Sequence, residues 1–346
     1  MSRMKNILVV RNDKIGDFML AWPSFAMLKQ SLPDCRITAL VPGYTAALAK
    51  ACPWIDEVII DAGKKADKAT QQALVRTIKS ANFDASINLF SDTYNALLVL
   101  RAKIPYRLAP ATKFAQVFYN KRIKQKRSQS AKPEFEYNLD LIRAFLNDQS
   151  VEIVEPKTPY FSFSLDSLAK QKEKLSQQLG LNKAKPWLYV HAGSGGSANN
   201  LSLQQYCSLL SGLEEDFELV LTAGPGEEEK ARELQSMLTD SDLPSVIYDN
   251  NDGLVDFSCS LACASLFIAG STGPLHIAAA LDVPTVGFFP AKRSATPLRW
   301  KTLNSEGRHI AFCPPQSEDK VSQDDMSRID VSACARDVNS WWKGII

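Results

Sequence analysis

Residues 187–206 read WLYVHAGSGGSANNLSLQQY. A short apolar run ends in a turn of glycine and serine, and the turn opens a segment with helical periodicity. That is one strand–turn–helix unit of a parallel sheet with crossover helices. Working outward, residues 6–17 read NILVVRNDKIGD and residues 266–280 read LFIAGSTGPLHIAAA, the same unit twice more. Further short apolar runs predict strands at 36–41, 57–60, 84–89, 218–222, 245–248 and 285–289. Helical spacing predicts helices over 21–32, 133–146, 165–179 and 203–213. Residues 150–164, SVEIVEPKTPYFSFS, break this rhythm with two prolines and no helical period, and read as a linker. The last residues place Val331, Cys334, Val338, Trp341 and Ile345 on one helical face. The fold class expected is α/β, with two tandem doubly wound domains over 1–155 and 156–330 and a closing helix over 331–346. Such sheets bind ligands at the carboxyl ends of their strands, so the site is expected in a cleft where the two domains face each other.

Composition agrees with a folded two-domain protein. The chain has 346 residues, 45% of them hydrophobic and 23% charged. No apolar run approaches the length of a membrane span. The N-terminal apolar stretch is short and turns polar at once, which reads as a first strand and not a signal peptide. Seven scattered cysteines without a C-x-x-C pair read as reduced thiols, pointing to a cytoplasmic protein. Three dispersed histidines argue against a histidine-based zinc site.

The net charge of +2 conceals an asymmetry. From Thr93 to Pro133 there is no acidic residue but ten Lys or Arg. The densest part interleaves Phe114, Phe118 and Tyr119 with Lys121, Arg122, Lys124, Lys126, Arg127 and Lys132. The bland reading is a solvated, mobile basic loop. The functional readings are capture of an anionic ligand or stacking of nucleic-acid bases, the latter without any recognised nucleic-acid module.

Three loops at strand ends can carry chemistry. The first, Arg11 to Asp17, offers Gly16 for a tight turn and Asp17 as either a helix-end acid or a carboxylate base. The second, His191 to Asn200, presents small residues and backbone amides at a helix start, suited to a phosphate. Its Gly193-x-Gly195-x-x-Ala198 string also matches part of a dinucleotide fingerprint. The acids Glu227, Glu228 and Glu229 come only after the turn following the next strand, which weakens a dehydrogenase reading. The third, Gly270 to His276, supplies Ser271, Thr272 and Gly273 before Pro274, a second phosphate-type loop.

Together, RNDKIGD, HAGSGGSANNLSLQQY and AGSTGPLHIAAALDVPTVGFF resemble, in this order, glycosyltransferase family 9, the heptosyltransferases of lipopolysaccharide core assembly. The resemblance runs over nearly the whole chain. It implies a GT-B fold of two Rossmann-like domains, with acceptor on the first, nucleotide-sugar on the second and a final helix packing back across them. It implies inverting transfer of a heptose from ADP-heptose to a lipopolysaccharide core or lipid A acceptor at the inner face of the inner membrane, without a metal or other cofactor and without nucleic acid. Asp17 takes the position of the catalytic base. Ser194, Gly195, Glu227, Glu229, Ser271, Thr272, Gly273 and His276 fall on the donor side. Arg11, Lys121, Arg122 and Lys124 belong to the acceptor half. Asn199 stands where the family usually carries Lys or Arg, and Lys292 and Arg293 are placed to supply that charge. The alternatives are a non-catalytic nucleotide- or saccharide-binding protein on this scaffold, or use of another nucleotide-sugar.

Overall fold

Strand β1, Asn6–Val10, is buried along nearly its whole length. A strand covered on both faces needs a continuous apolar run, and NILVV supplies one. In this computed structural model, residues 4–196 and 199–345 are described; Ser197 and Ala198 of the fingerprint string lie outside them. Around β1 lie β2 (Arg36–Pro42), β3 (Glu57–Asp61), β4 (Ala85–Asn88), β5 (Tyr106–Pro110) and β6 (Lys121–Ile123), in the order β3-β2-β1-β4-β5-β6. Every neighbouring pair is parallel, with Ile7 beside Ile37 on one side and beside Ala85 on the other. A second sheet holds β7 (Trp187–His191), β8 (Glu218–Thr222), β9 (Ser245–Tyr248), β10 (Leu266–Gly270), β11 (Thr285–Phe288) and β12 (His309–Phe312), in the order β12-β11-β10-β7-β8-β9. It too is parallel throughout.

The chain divides into two compact units, one ending at Lys157 and the other beginning at Thr158. In the first, strand order reverses between β1 and β4, so the loops after these strands are the ligand-binding edge. In the second it reverses between β7 and β10, which brings the HAGSGG and GSTGP loops together. The closing helix, Val331–Lys343, belongs to the second unit. Its Cys334, Ala335, Val338 and Trp342 are buried in that unit's core with Tyr206, Leu209 and Leu210. Full burial of an aliphatic side chain of this kind contributes about 1.5–3 kcal/mol.

The helix expected over 21–32 is present as Trp22–Ser31, with Pro23 in its first turn, and a separate short helix, Ile15–Met19, precedes it. The basic stretch, by contrast, is not a mobile loop. It contains a 3-10 turn over Phe114–Phe118, the edge strand β6 and a second turn over Arg127–Gln129. All seven cysteines are free thiols. Among the described residues, no helix is long and apolar enough to cross a membrane.

Candidate active site

In the first unit, β1 ends directly in Arg11, which is 2% exposed. The buried guanidinium faces three carboxylates, with hydrogen bonds from Nη1 and Nη2 and an ion-pair contact from Nε. Its Nε lies 2.8 Å from Asp13 Oδ1, its Nη2 2.5 Å from Asp17 Oδ1 and its Nη1 3.3 Å from Glu134 Oε1. Nη1 also donates to Asn138 Oδ1. Glu134 and Asn138 sit four residues apart on helix Glu134–Asp148, hence on one face. Arg127 meets the same two residues, with Nη1 2.8 Å from Glu134 Oε1 and Nη2 3.3 Å from Asn138 Oδ1. Burial works against the Arg11 charge, but Asp13, Asp17 and Glu134 outweigh it and hold the guanidinium firmly protonated.

This geometry assigns Arg11 to the interior. It holds Asp17 and is too buried to reach an acceptor, contrary to its expected place among acceptor contacts. Asp17 is in the first turn of Ile15–Met19, yet its carboxylate makes no cap there. One oxygen is held by Arg11, and the side chain is 16% exposed at the strand-end edge. Asp13 behaves differently. Burial outweighs the attraction of Arg11, and the nearby Asp17 adds to it, so the Asp13 carboxyl is pushed up to about 7.

That shift has a measurable sign. A carboxyl that binds its proton more tightly when folded stabilises the protein below its unfolded value, near 4, and loses that contribution as pH rises towards 7. The stability of the wild type relative to Asp13→Asn should therefore fall between about pH 4 and pH 7, by at most about 1.4 kcal/mol per pH unit, and level off above. Thermal melts of both proteins across this range check it; parallel curves would contradict it.

The acid-free stretch is partly neutralised from within. Lys121 Nζ pairs with Asp148 at 2.8 Å, and Lys132 pairs with Asp140. Lys121 and Arg127 thus pair with helix Glu134–Asp148, Lys121 through an ion pair that is exposed to solvent. Arg122, Lys124 and Lys126 remain exposed, with no ion-pair partner among the described residues. Beside them Phe114 is 72% and Val117 53% exposed.

In the second unit, Glu227 is the acid that reaches the loop. Its Oε1 accepts from the Gly195 amide at 2.6 Å, and its Oε2 accepts from the Gly224 amide at 3.2 Å. A Cβ on Gly193 would stand 2.2 Å from this carboxylate, which is why glycine is needed there. Oε2 also lies 3.3 Å from His191 Nε2. Burial lowers the His191 pKa despite that carboxylate, so the ring is neutral at physiological pH. Glu229, expected beside Glu227, is instead exposed in the first turn of helix Glu228–Thr239.

The two loops of this unit are joined by Asn200, a residue the sequence did not single out. Its Nδ2 donates to the carbonyls of Ala192 and Gly193, and its Oδ1 accepts from Tyr206 Oη at 2.7 Å. A Cβ on Gly270 would stand 2.5 Å from the same Oδ1, so β10 passes close against it. Ser194 is half-buried in the second loop, and Ser271 and Gly273 are half-buried in the third. Thr272 Oγ1 and His276 Nδ1 are buried without a hydrogen-bond partner among the described residues. Burial and nearby His309 push His276 down to about 3, so it too is neutral.

Asn199 is not an isolated substitution for a cation. Its Nδ2 donates to the Asp324 carbonyl at 3.1 Å, and Lys292 Nζ pairs with the Asp324 carboxylate at 3.1 Å. One residue thus brings Lys292 to the neighbourhood of Asn199. Arg293 is exposed beside it.

A sequence model described as glycosyltransferase family 9 (heptosyltransferase) matches residues 71–329. The chain belongs to glycosyltransferase family 9. A Haemophilus influenzae protein named "Putative glycosyltransferase" is 54% identical over 94% of both chains. The Escherichia coli lipopolysaccharide heptosyltransferase 3 is 23% identical over 80% of this chain and 81% of its own. The solved E. coli ADP-heptose lipopolysaccharide heptosyltransferase II superimposes with a TM-score of 0.76 at 18% identity, covering 99% of each chain. The fold is therefore the GT-B fold of the heptosyltransferases, and this member of family 9 is a glycosyltransferase.

Proposed function

We propose that this glycosyltransferase moves a heptose from ADP-heptose to the core or lipid A region of a lipopolysaccharide acceptor, with inversion, in one displacement. The observation that carries this reading is the setting of Asp17. Its carboxylate stands at a strand-end edge, oriented by Arg11 through a single oxygen, as a general base requires. It takes the proton of an acceptor hydroxyl while that oxygen bonds to the anomeric carbon and the sugar–diphosphate bond breaks. The leaving diphosphate gains charge, and the groups of the second unit suited to it are Ser194 and, at the start of helix Gly273–Ala280, Ser271, Thr272 and Gly273, whereas the Gly195 amide is already taken by Glu227. Glu227 suits the donor's hydroxyls, and His276 lies on the third loop beside them. No metal is needed in this scheme. The heptose and the nucleotide are inferred from the heptosyltransferases that this chain resembles. The test is ADP release on mixing the protein with ADP-heptose and a heptose-free lipopolysaccharide. Binding without release would instead support a non-catalytic nucleotide-binding protein.

Lys292 and Arg293 replace the cation that Asn199 lacks. Changing both to Ala should weaken ADP binding by about tenfold or more, since a hydrogen bond to a charged group contributes about 1.5–3 kcal/mol. Asn199→Lys should tighten it. Titration calorimetry with ADP measures both, and unchanged affinity in the double variant would dismiss the compensation.

The acceptor's phosphates and acidic sugars are matched by Arg122, Lys124 and Lys126, with Phe114 and Val117 facing the membrane's inner surface in a cytoplasmic enzyme. Near such a surface each cation contributes about 1 kcal/mol. Replacing the three cations with Ser should raise the acceptor KM roughly 10- to 100-fold at low salt and leave the donor KM alone. The difference should shrink at high salt. Equal acceptor kinetics at low salt would remove the role.

A further inference from the structure

The buried charges around Arg11 form one coupled cluster. Arg11 and Arg127 bring two positive charges to three carboxylates, those of Asp13, Asp17 and Glu134. Glu134 is within reach of both guanidinium groups. Asp13 and Asp17 are left to share Arg11, one through Nε and the other through Nη2. We propose that Arg11 is a positioning residue for the transfer and that Asp13 is its counterweight, whose charge sets how firmly Arg11 holds the Asp17 carboxylate. This rests on the reading of Asp17 as the base.

The physical argument is competition for one cation. With Asp13 protonated, the Arg11 charge bears on Asp17 and Glu134 and holds the Asp17 oxygen firmly. With Asp13 ionised, Arg11 is shared and Asp17 accepts the hydroxyl proton more readily. No bond is made or broken at Asp13 or Arg11; the proton ends on Asp17. The charged and titratable groups facing Asp13 are Arg11 and Asp17 from its own segment, Glu134 from helix Glu134–Asp148 and Tyr44 from the turn Gly43–Thr45, whose hydroxyl donates to the Asp13 carbonyl. Burial raises Asp13 to about 7, which puts the exchange near neutral pH.

The test has one arm that needs no substrate. Carbon-13 labelling of aspartate carboxyls, with Asp13→Asn to assign the signal, follows Asp13 by NMR. Its midpoint should lie near neutrality in the wild type. In Asp17→Asn it should fall by about one pH unit or more, because a like charge is gone and Arg11 is freed. In the second arm, kcat with ADP-heptose and heptose-free lipopolysaccharide should rise about three- to tenfold from pH 6 to pH 8, as Asp13 ionises and Arg11 is shared. Asp13→Asn should stay low and flat over that range. Arg11→Lys keeps the charge but not the fork, so kcat should fall about tenfold with the donor KM unchanged. An Asp13 signal titrating in the ordinary carboxylate range, a midpoint indifferent to Asp17→Asn, or a retained rise in Asp13→Asn would overturn the proposal. Near-normal turnover by Asp17→Asn together with a shifted Asp13 midpoint would instead overturn the base reading and leave the charge coupling standing.

Discussion

Asp17→Asn should lose turnover by about 10²- to 10⁴-fold, the usual contribution of a positioned general base. The substitution keeps the size of the side chain and leaves an oxygen for Arg11 Nη2, so the fold and donor affinity should be preserved. Removing this carboxylate also removes a like charge facing Asp13, so the melting temperature should not fall. The loss should appear in kcat and not in the donor KM, because Asp17 belongs to the first unit and the donor loops belong to the second. A variant within a few-fold of the wild type would reduce Asp17 to a helix-end acid.

Arg11→Ala should have the largest effect on stability. It leaves Asp13, Asp17 and Glu134 without their shared cation, with Glu134 3% exposed. Breaking a buried ion pair by removing one partner costs about 3–5 kcal/mol. In a unit of this size that is a fall of roughly 10 °C in the melting temperature. The damage should be smallest at acid pH, where protonation relieves the stranded carboxylates, and that dependence separates charge from simple loss of packing. A loss below about 1 kcal/mol at neutral pH would mean that the cluster is relaxed by solvent.

Where the sheet is buried, its strands could be read from composition. The runs at 187–191 and 218–222 coincide with β7 and β8 because these interior strands need apolar residues on both faces. β5, β6 and β12 were not legible. β6 is the three-residue run Lys121-Arg122-Ile123 at a sheet edge, where charge is tolerated and guards against further pairing. β12 is an edge strand of half-buried residues. The site divides in the same way. The two small-residue loops follow from local order, since each stands directly after a strand, whereas the role of Asp17 comes from the family resemblance and the choice of Glu227 over Glu228 and Glu229 only from the structure. The partners that orient these groups do not follow from local order either. Glu134 and Asn138 reach Arg11 from more than 120 residues away, and only their four-residue spacing hinted at a shared face. Asn200 matters because Gly270 passes against it, a contact that exists only once β7 and β10 are neighbours.

The central claim is that this chain catalyses transfer from a nucleotide-sugar and that Asp17 is the base. It is tested most directly by incubating wild type and Asp17→Asn with ADP-heptose, with and without heptose-free lipopolysaccharide, and measuring ADP together with the mass of the acceptor. The account predicts ADP release that depends on the acceptor, a matching gain of one heptose on it, and loss of both in the variant despite intact ADP binding. A wild type that binds ADP-heptose and leaves donor and acceptor unchanged would contradict it.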